Sequence, residues 1–385
     1  MITYSIMIIT SLLLSYVSTK IKNKKLKIFF QILSALPFII VSGIRYDVGT
    51  DYLYRYAPDY LIIGEGDDVL NLEILVKLLL KFCNLITKDY FLFFAITSVI
   101  TNGLIFYSIY KYSRKPVLSI FIYFISSSFF FSLNLVRQYL SISIIILAFM
   151  KYYNDNGKKR TLLLTILFAS LIHSSSLIFI PLVFFNNKKN NDILLIVLSI
   201  MIFLFGQTSV KDILKLFSNV KDINLYKYNV YSRYDGNMPI SSLIVETCVY
   251  IYYCTIYYRK KIDEKNMPIA KFYINLQWFS VLFTIACFTN ELFIRLCAMN
   301  SAFQILSLPY FYSLSIEQNK KNGIKNYRTF IILLFICTLM FSRMYYSTIM
   351  KHSMEVVPYK TIFERPSDIK EDVGIKEYLY NRSYK

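Results

Sequence analysis

Apolar runs of about 16 to 25 residues alternate with short polar breaks along nearly the whole chain, which is the length range of a bilayer-crossing helix. Residues 1–17, 28–44, 90–110, 117–134, 137–153, 192–207, 241–258, 269–288, 292–314 and 329–346 each read as one span. Residues 161–185 form an apolar run with basic residues at both ends: Lys158, Lys159 and Arg160 before it, Lys188 and Lys189 after it. Two helices of about 12 residues meeting near His173 would return both flanks to one side. At about 18 Å each they fall short of a hydrocarbon core of about 30 Å, so their tips must be buried in protein. With that hairpin the chain holds about 12 transmembrane segments, within a range of about 10 to 13. Residues 69–88 break the pattern. Lys77 and Lys81 share one face of an otherwise apolar helix, which reads as a helix lying at the membrane interface. The expected fold is all-α, a single polytopic membrane domain over residues 1–385.

Charge then assigns the sides. The chain has 385 residues, with 43 Lys and Arg against 24 Asp and Glu, a net charge of +19, yet only 17% of residues are charged. A soluble domain carries about 25%, so a soluble globule is excluded, and the excess of cations reads as cytoplasmic loops rather than a nucleic-acid surface. The breaks around Lys20–Lys27, Lys111–Lys115, Lys151–Arg160, Lys188–Lys189, Arg259–Lys265 and Lys320–Arg328 hold about 22 of the 43 basic residues and are placed inside. Both termini then fall outside. So do three polar stretches: 45–89 with its interfacial helix, 208–240, and the tail 347–385. The first apolar run has no leading basic cluster and no small-residue cleavage site, so it reads as a retained span.

No P-loop, GxGxxG, GxSxG, CxxC or HExxH occurs. The six cysteines lie mostly inside spans and read as small apolar packing. Two histidines, His173 and His352, leave no multi-histidine metal site, and neither a metal nor a cofactor is expected. What stands out is polar groups at the outer ends of spans, where a charge at the centre of a helix costs about 2.5–3.5 kcal/mol on insertion scales. These are Arg45, Asp47, Asp51, Arg55, Arg137, Gln138, His173, Arg233, Glu291 and Arg295, all on one side of the membrane. Interfacial snorkelling is the plain alternative for each arginine. It is weakest for Arg137, which opens a span on the side where basic residues are disfavoured. Arginine forks suit a phosphate or diphosphate, and Asp, Glu, Tyr and Gln suit sugar hydroxyls.

Three local patterns sharpen this picture. RYDVGTDY sets Arg45, Asp47 and Asp51 around Gly49, NLVRQ opens a span with Arg137 and Gln138, and His173 sits among serines in IHSSSLIF. In this order, with YSRY ending at Tyr234, Arg295 at a late span start and VVPYK ending at Lys360, they resemble the EpsG family of Wzy-like polysaccharide polymerases. The resemblance covers most of the chain, and GTDY is its most specific piece. The family pattern has a tyrosine at the position of Arg55, which here stands between Tyr54 and Tyr56, so the role of that position is in question.

The resemblance implies a GT-C-like membrane glycosyltransferase on the outer face of the bacterial cytoplasmic membrane. It would move a growing glycan from undecaprenyl diphosphate to the non-reducing end of an incoming lipid-linked unit, building a capsule or exopolysaccharide. Its partners would be undecaprenyl-diphosphate-linked oligosaccharide as donor and acceptor, membrane lipid, a chain-length co-polymerase and a flippase, with no nucleic acid. Arg137 and Arg295 are expected to stabilise the leaving diphosphate in place of a metal, supported by Arg45 and Arg233. Asp51 or His173, with Glu291 third, would take or orient the acceptor proton. Histidine suits a base near neutrality, whereas a carboxylate beside arginines is weakened as one. Asp47, Gly49, Tyr52, Gln138 and Tyr234 complete the expected substrate contacts, and GTDY could equally clamp the acceptor sugar. The rivals are a lipid-linked oligosaccharide flippase, a membrane O-acyltransferase using His173, and an O-antigen ligase. A flippase should carry charges on both sides and repeated halves, an acyltransferase usually faces a cytoplasmic donor, and a ligase differs only in its acceptor.

Overall fold

The computed structural model describes residues 1–69, 72–185, 189–204, 239–259, 262–290, 292–321, 326–352 and 354–365. The chain divides into two compact units, Met1–Phe179 with Met344–Lys385, and Ile180–Arg343. Six described helices are long and apolar enough to cross a membrane: Ile2–Lys20, Lys24–Gly43, Phe91–Tyr112, Ile240–Arg259, Met267–Ala286 and Tyr327–Met350. The molecule is an all-α multi-pass membrane protein, with one pair of two-residue strands among the described residues.

The first unit begins with α1 (Ile2–Lys20) and α2 (Lys24–Gly43). Asn23 caps α2, its side-chain oxygen accepting the amides of Lys25 and Leu26 at 3.0 and 3.2 Å. A row of buried small residues lets the backbones approach, as in other membrane helix pairs. Ser11 of α1 donates to the Ser34 carbonyl at 2.7 Å, and Ser98 of α5 (Phe91–Tyr112) donates to the Ile39 carbonyl at 2.8 Å. The opposite faces carry exposed Ile6, Leu13, Phe29 and Ile32, which suits lipid.

Between α2 and α5 the chain makes strand β1 (Arg45–Tyr46), the GTDY turn, α3 (Ala57–Gly64) and α4 (Ile74–Ile86). Helix α4 buries Val76, Leu80 and Cys83 and exposes Leu78, Phe82, Leu85 and Ile86. Beyond α5 lie α6 (Pro116–Ile125), α7 (Ser128–Asn134), α8 (Val136–Asn154) and α9 (Lys159–Ser170).

Several expected spans differ: α8, over 137–153, is not among the six, and the described part of 192–207 is a shorter apolar helix, Asp192–Leu204. The run 117–134 is not one straight helix: α6 and α7 bend by 55°, giving a seventh crossing only if the pair counts as one. Ser127 adopts φ 66°, and the Ser126 and Ser128 hydroxyls bond each other at 2.8 Å. Consecutive serines give the backbone local alternatives to the helix ladder. The run 292–314 is two helices, Leu292–Ser301 and Gln304–Lys321. The run 161–185 is broken close to the expected place: α9 ends, the chain turns at Leu171–His173, and a 3₁₀ turn (Ser174–Phe179) and α10 (Ile180–Phe185) follow. Most of 208–240 lies outside the described residues, as does the tail beyond Arg365.

The described part of the tail folds back on the first unit. Strand β2 (Lys360–Thr361) pairs antiparallel with β1, Arg45 opposite Thr361 and Tyr46 opposite Lys360. Tyr4 donates to the Val356 carbonyl at 2.8 Å, and Tyr359 donates to the Val41 carbonyl at 2.9 Å. Arg365 grips Asp89 with both ends of its fork, at 2.7 and 2.8 Å. In the second unit, the wholly buried Glu246 accepts from Gln277 and Gln304, each at 2.7 Å, and faces Arg343 at 3.4 Å.

Gly49 is required twice over. Its φ is +98°, and a Cβ there would meet the Leu133 carbonyl oxygen at 2.8 Å. Gly49→Ala is expected to destabilise the protein by about 1–3 kcal/mol, through a strained backbone and a close contact. Gly43→Ala, whose Cβ would meet nothing nearer than 3.6 Å, should stay close to the parent. Thermal unfolding of the two variants in detergent checks the contrast.

Candidate functional site

The GTDY turn is seated on the NLVRQ segment. Asn134 Oδ1 accepts from the Thr50 hydroxyl at 2.6 Å and from the Asp51 amide at 3.1 Å, and Gly49 lies against the Leu133 carbonyl. From the other side, the Gly49 amide donates to the Glu355 carbonyl at 3.1 Å, and Lys360 pairs with Asp47 at 2.8 Å. Arg45 lies beneath the turn and is 1% exposed. Its guanidinium donates to the carbonyls of Ser42, Val48 (3.3 Å) and Leu133 (3.1 Å), and lies 4.8 Å from the centre of the Phe94 ring. Tyr52 is equally buried, stacked on Phe94 at 4.0 Å and donating to the Arg45 carbonyl at 2.9 Å. Both were expected to meet substrate; the structure places both in the buried seat of the turn. A polar cavity of about 10 Å³ beside Arg45, lined by Ser42, Ser98, Asn102 and Ser132 among others, has room for about one water.

Arg137 occupies the second position of α8 and is 9% exposed. It forms an ion pair with Glu73 through Nη1 and Oε2. Its guanidinium lies over the Tyr56 ring at 5.9 Å, and its own amide reaches the Tyr56 hydroxyl at 3.4 Å. The other oxygen of Glu73, Oε1, lies 3.1 Å from His173 Nδ1. One carboxylate therefore bridges an arginine and a histidine that lie 36 positions apart in the chain. Asp51 is half-buried and within electrostatic reach of Arg137. Gln138 is buried beside it.

Local structure holds this cluster. Glu73 stands at the N-cap of α4, its carbonyl accepting the amides of Val76 and Lys77. The same first turn is tied across by the Leu75 amide, which donates to the Leu171 carbonyl at 3.1 Å. His173 sits where α9 stops. Its carbonyl accepts the Ser176 amide at 3.0 Å, and the Ser176 hydroxyl bonds Ser141 of α8 at 2.7 Å. The serines after His173 thus pin its turn to the helix that carries Arg137.

The remaining expected residues lie elsewhere. Arg295 is half-buried on the helix Leu292–Ser301 of the second unit. Arg233, Tyr234 and Glu291 lie outside the described residues. Arg55 sits 4.0 Å from the buried Asp59. Glu73 was not anticipated. Its only mark in the sequence is that it is the one acid close to the start of an otherwise apolar and basic helix.

Burial alone would raise the Glu73 carboxyl, but the His173 hydrogen bond and the Arg137 charge outweigh it and pull the group down to about 2. Asp89 follows the same logic: burial raises it, while the Arg365 fork and the Phe91 amide hold it below the usual carboxylate range. A depressed carboxyl stabilises the fold above its ordinary value and loses that contribution as pH falls through its folded value. The Glu73 contribution to stability should therefore be complete above pH 4.5 and be lost as pH falls from there to about 2. Glu73→Gln should remove part of that slope, as read by melting temperature against pH. Glu73→Ala should cost about 3–5 kcal/mol, because it leaves a buried guanidinium without its counter-charge.

The chain matches no curated protein and no solved structure. The profile of the EpsG family matches residues 27–361, which takes in the GTDY turn, Glu73, Arg137, His173 and the folded-back segment up to Thr361. By that match over most of its length, the chain belongs to the EpsG family of Wzy-like polysaccharide polymerases.

Proposed function

We propose that this protein joins undecaprenyl-diphosphate-linked oligosaccharide repeat units into a capsular or exopolysaccharide, by glycosyl transfer on the outer face of the bacterial cytoplasmic membrane. Membership of the EpsG family supports a membrane polysaccharide polymerase. The observation that carries the finer reading is the cluster of Arg137, Glu73 and His173 at the mouth of α8. It sets a fixed cation beside a histidine whose one nitrogen faces a carboxylate.

The reaction forms a bond from the acceptor hydroxyl oxygen to the anomeric carbon and breaks the bond from that carbon to the diphosphate oxygen. The electron pair leaves on the diphosphate, and the proton leaves with a base. Arg137 is assigned to the developing diphosphate charge, where a preorganised donor in a dry site lowers the barrier most. His173 is the favoured base: with its proton on Nδ1 toward Glu73, the basic lone pair is on Nε2. Asp51 is the second candidate, held next to Asn134 at the same end of the unit. The assignment uses the first unit alone. The GT-C-like arrangement, about 12 spans with both termini outside, independence of a metal, and co-polymerase and flippase partners all belong to the same proposal.

In a deletion strain, single repeat units should accumulate on lipid at the outer face. Accumulation at the inner face would favour a flippase, and normal polymer would reject the reading. Arg137→Ala should reduce polymer yield by about 10²–10³. Arg137→Lys should also lose most activity, because an ammonium does not replace a planar fork. Full polymer length and yield in either variant would remove Arg137 from the chemistry.

A further inference from the structure

We propose that Glu73 is a built-in counter-ion gate: it holds Arg137 while the site is empty and must release it for a diphosphate to bind, after which the carboxylate serves His173 alone. The proposal rests on the reading of Arg137 as the diphosphate-binding cation.

The geometry carries it. Both oxygens of one carboxylate are engaged, Oε2 with Arg137 Nη1 and Oε1 with His173 Nδ1 at 3.1 Å. The side chains are 10% exposed for Arg137 and 14% for each of the other two. An arginine so paired is electrically neutral toward an arriving anion. The Nε of Arg137 is buried and has no hydrogen-bond partner among the described residues, so Glu73 engages one edge of the guanidinium and leaves donor capacity unspent. A diphosphate brings more negative charge than a carboxylate and several acceptor oxygens, so it can displace Glu73 from that edge.

What Glu73 does next follows from its position. It is anchored at the head of α4, and the tie from the Leu75 amide to the Leu171 carbonyl keeps it beside the His173 turn. Released from Arg137, it remains within reach of Nδ1. A carboxylate that no longer shares its charge with an arginine stabilises the protonated imidazole more strongly, which favours proton uptake from the acceptor. Binding of the leaving group and readiness of the base are thereby linked through one side chain. Glu73 is a positioning residue in this scheme, acting through Arg137 and His173.

Such a gate lowers apparent anion affinity by the fraction of time it is open, so a pair closed about nine-tenths of the time weakens binding about tenfold. Removing the charge should therefore strengthen binding, which a merely structural role would not do. The test is titration of the full-length protein in detergent with inorganic pyrophosphate. Glu73→Gln is expected to bind about three- to tenfold more tightly than the parent, while supporting less polymer in cells. Arg137→Ala is expected to lose pyrophosphate binding. If Glu73→Gln binds no more tightly while Arg137→Ala does lose binding, the gate is wrong and the anion site stands. If Arg137→Ala binds like the parent, the anion site fails and the gate fails with it. Should Glu73→Gln not fold, Glu73→Asp keeps the charge but withdraws it by one methylene. It should then tighten binding in the same direction by a smaller factor, and unchanged or weaker binding there overturns the proposal.

Discussion

A guanidinium buried in an apolar bundle has to find oxygen atoms, and in the first unit this requirement organises everything near the site. Arg45 ends up 1% exposed, with backbone carbonyls of the end of α2, the GTDY turn and the end of α7 around it. No carboxylate pairs with it among the described residues. The price of desolvating that charge is met by carbonyl dipoles and by the faces of Phe94 and Tyr52. Because the carbonyls come from three separate stretches, one side chain fixes their mutual placement. Gly49 then has to pass within contact distance of Leu133, and Asn134 receives Thr50 and Asp51.

That placement is what lets α8 begin where it does, with Arg137 directly beyond the seat of the turn. The second charge is handled differently. Arg137 keeps a carboxylate, and the carboxylate keeps a histidine, so the cluster is a mixed network rather than a carbonyl cage. Two buried arginines thus do separate physical jobs. One is spent on backbone carbonyls, while the other retains a carboxylate as its counter-ion. Folding the tail back onto the first unit adds the strand pairing of β1 with β2 and the clamp of Arg365 on Asp89, both close to the same turn.

Much of this was legible beforehand. Apolar run length and the low charge content identify a multi-pass helical protein, since hydrocarbon tolerates only segments that satisfy their own backbone groups. The basic flanks on both sides of 161–185, together with the excessive cost of an unsupported short helix, locate a break near His173, and the chain does turn at Leu171–His173. The motifs GTDY, NLVRQ and IHSSS were visible as polar exceptions, and in the structure they lie together in one unit. The bend at Ser126–Ser127 and the division of 292–314 were not visible, because hydropathy averages over a run and does not register where the helix ladder is interrupted.

The sequence by itself determined the solvent this chain lives in, its family, and which few charges needed an explanation, because those follow from composition and order along the chain. Only the tertiary structure decided which partner each charge takes. Arg45 and Arg137 look alike in the sequence, each an arginine at the end of an apolar run. They differ in whether carbonyls or a carboxylate surround the guanidinium, and that depends on segments up to 88 positions away. Glu73 shows the same limit most clearly. It becomes part of the site only because α4 brings its first turn to the break after α9, a long-range contact with no local signature.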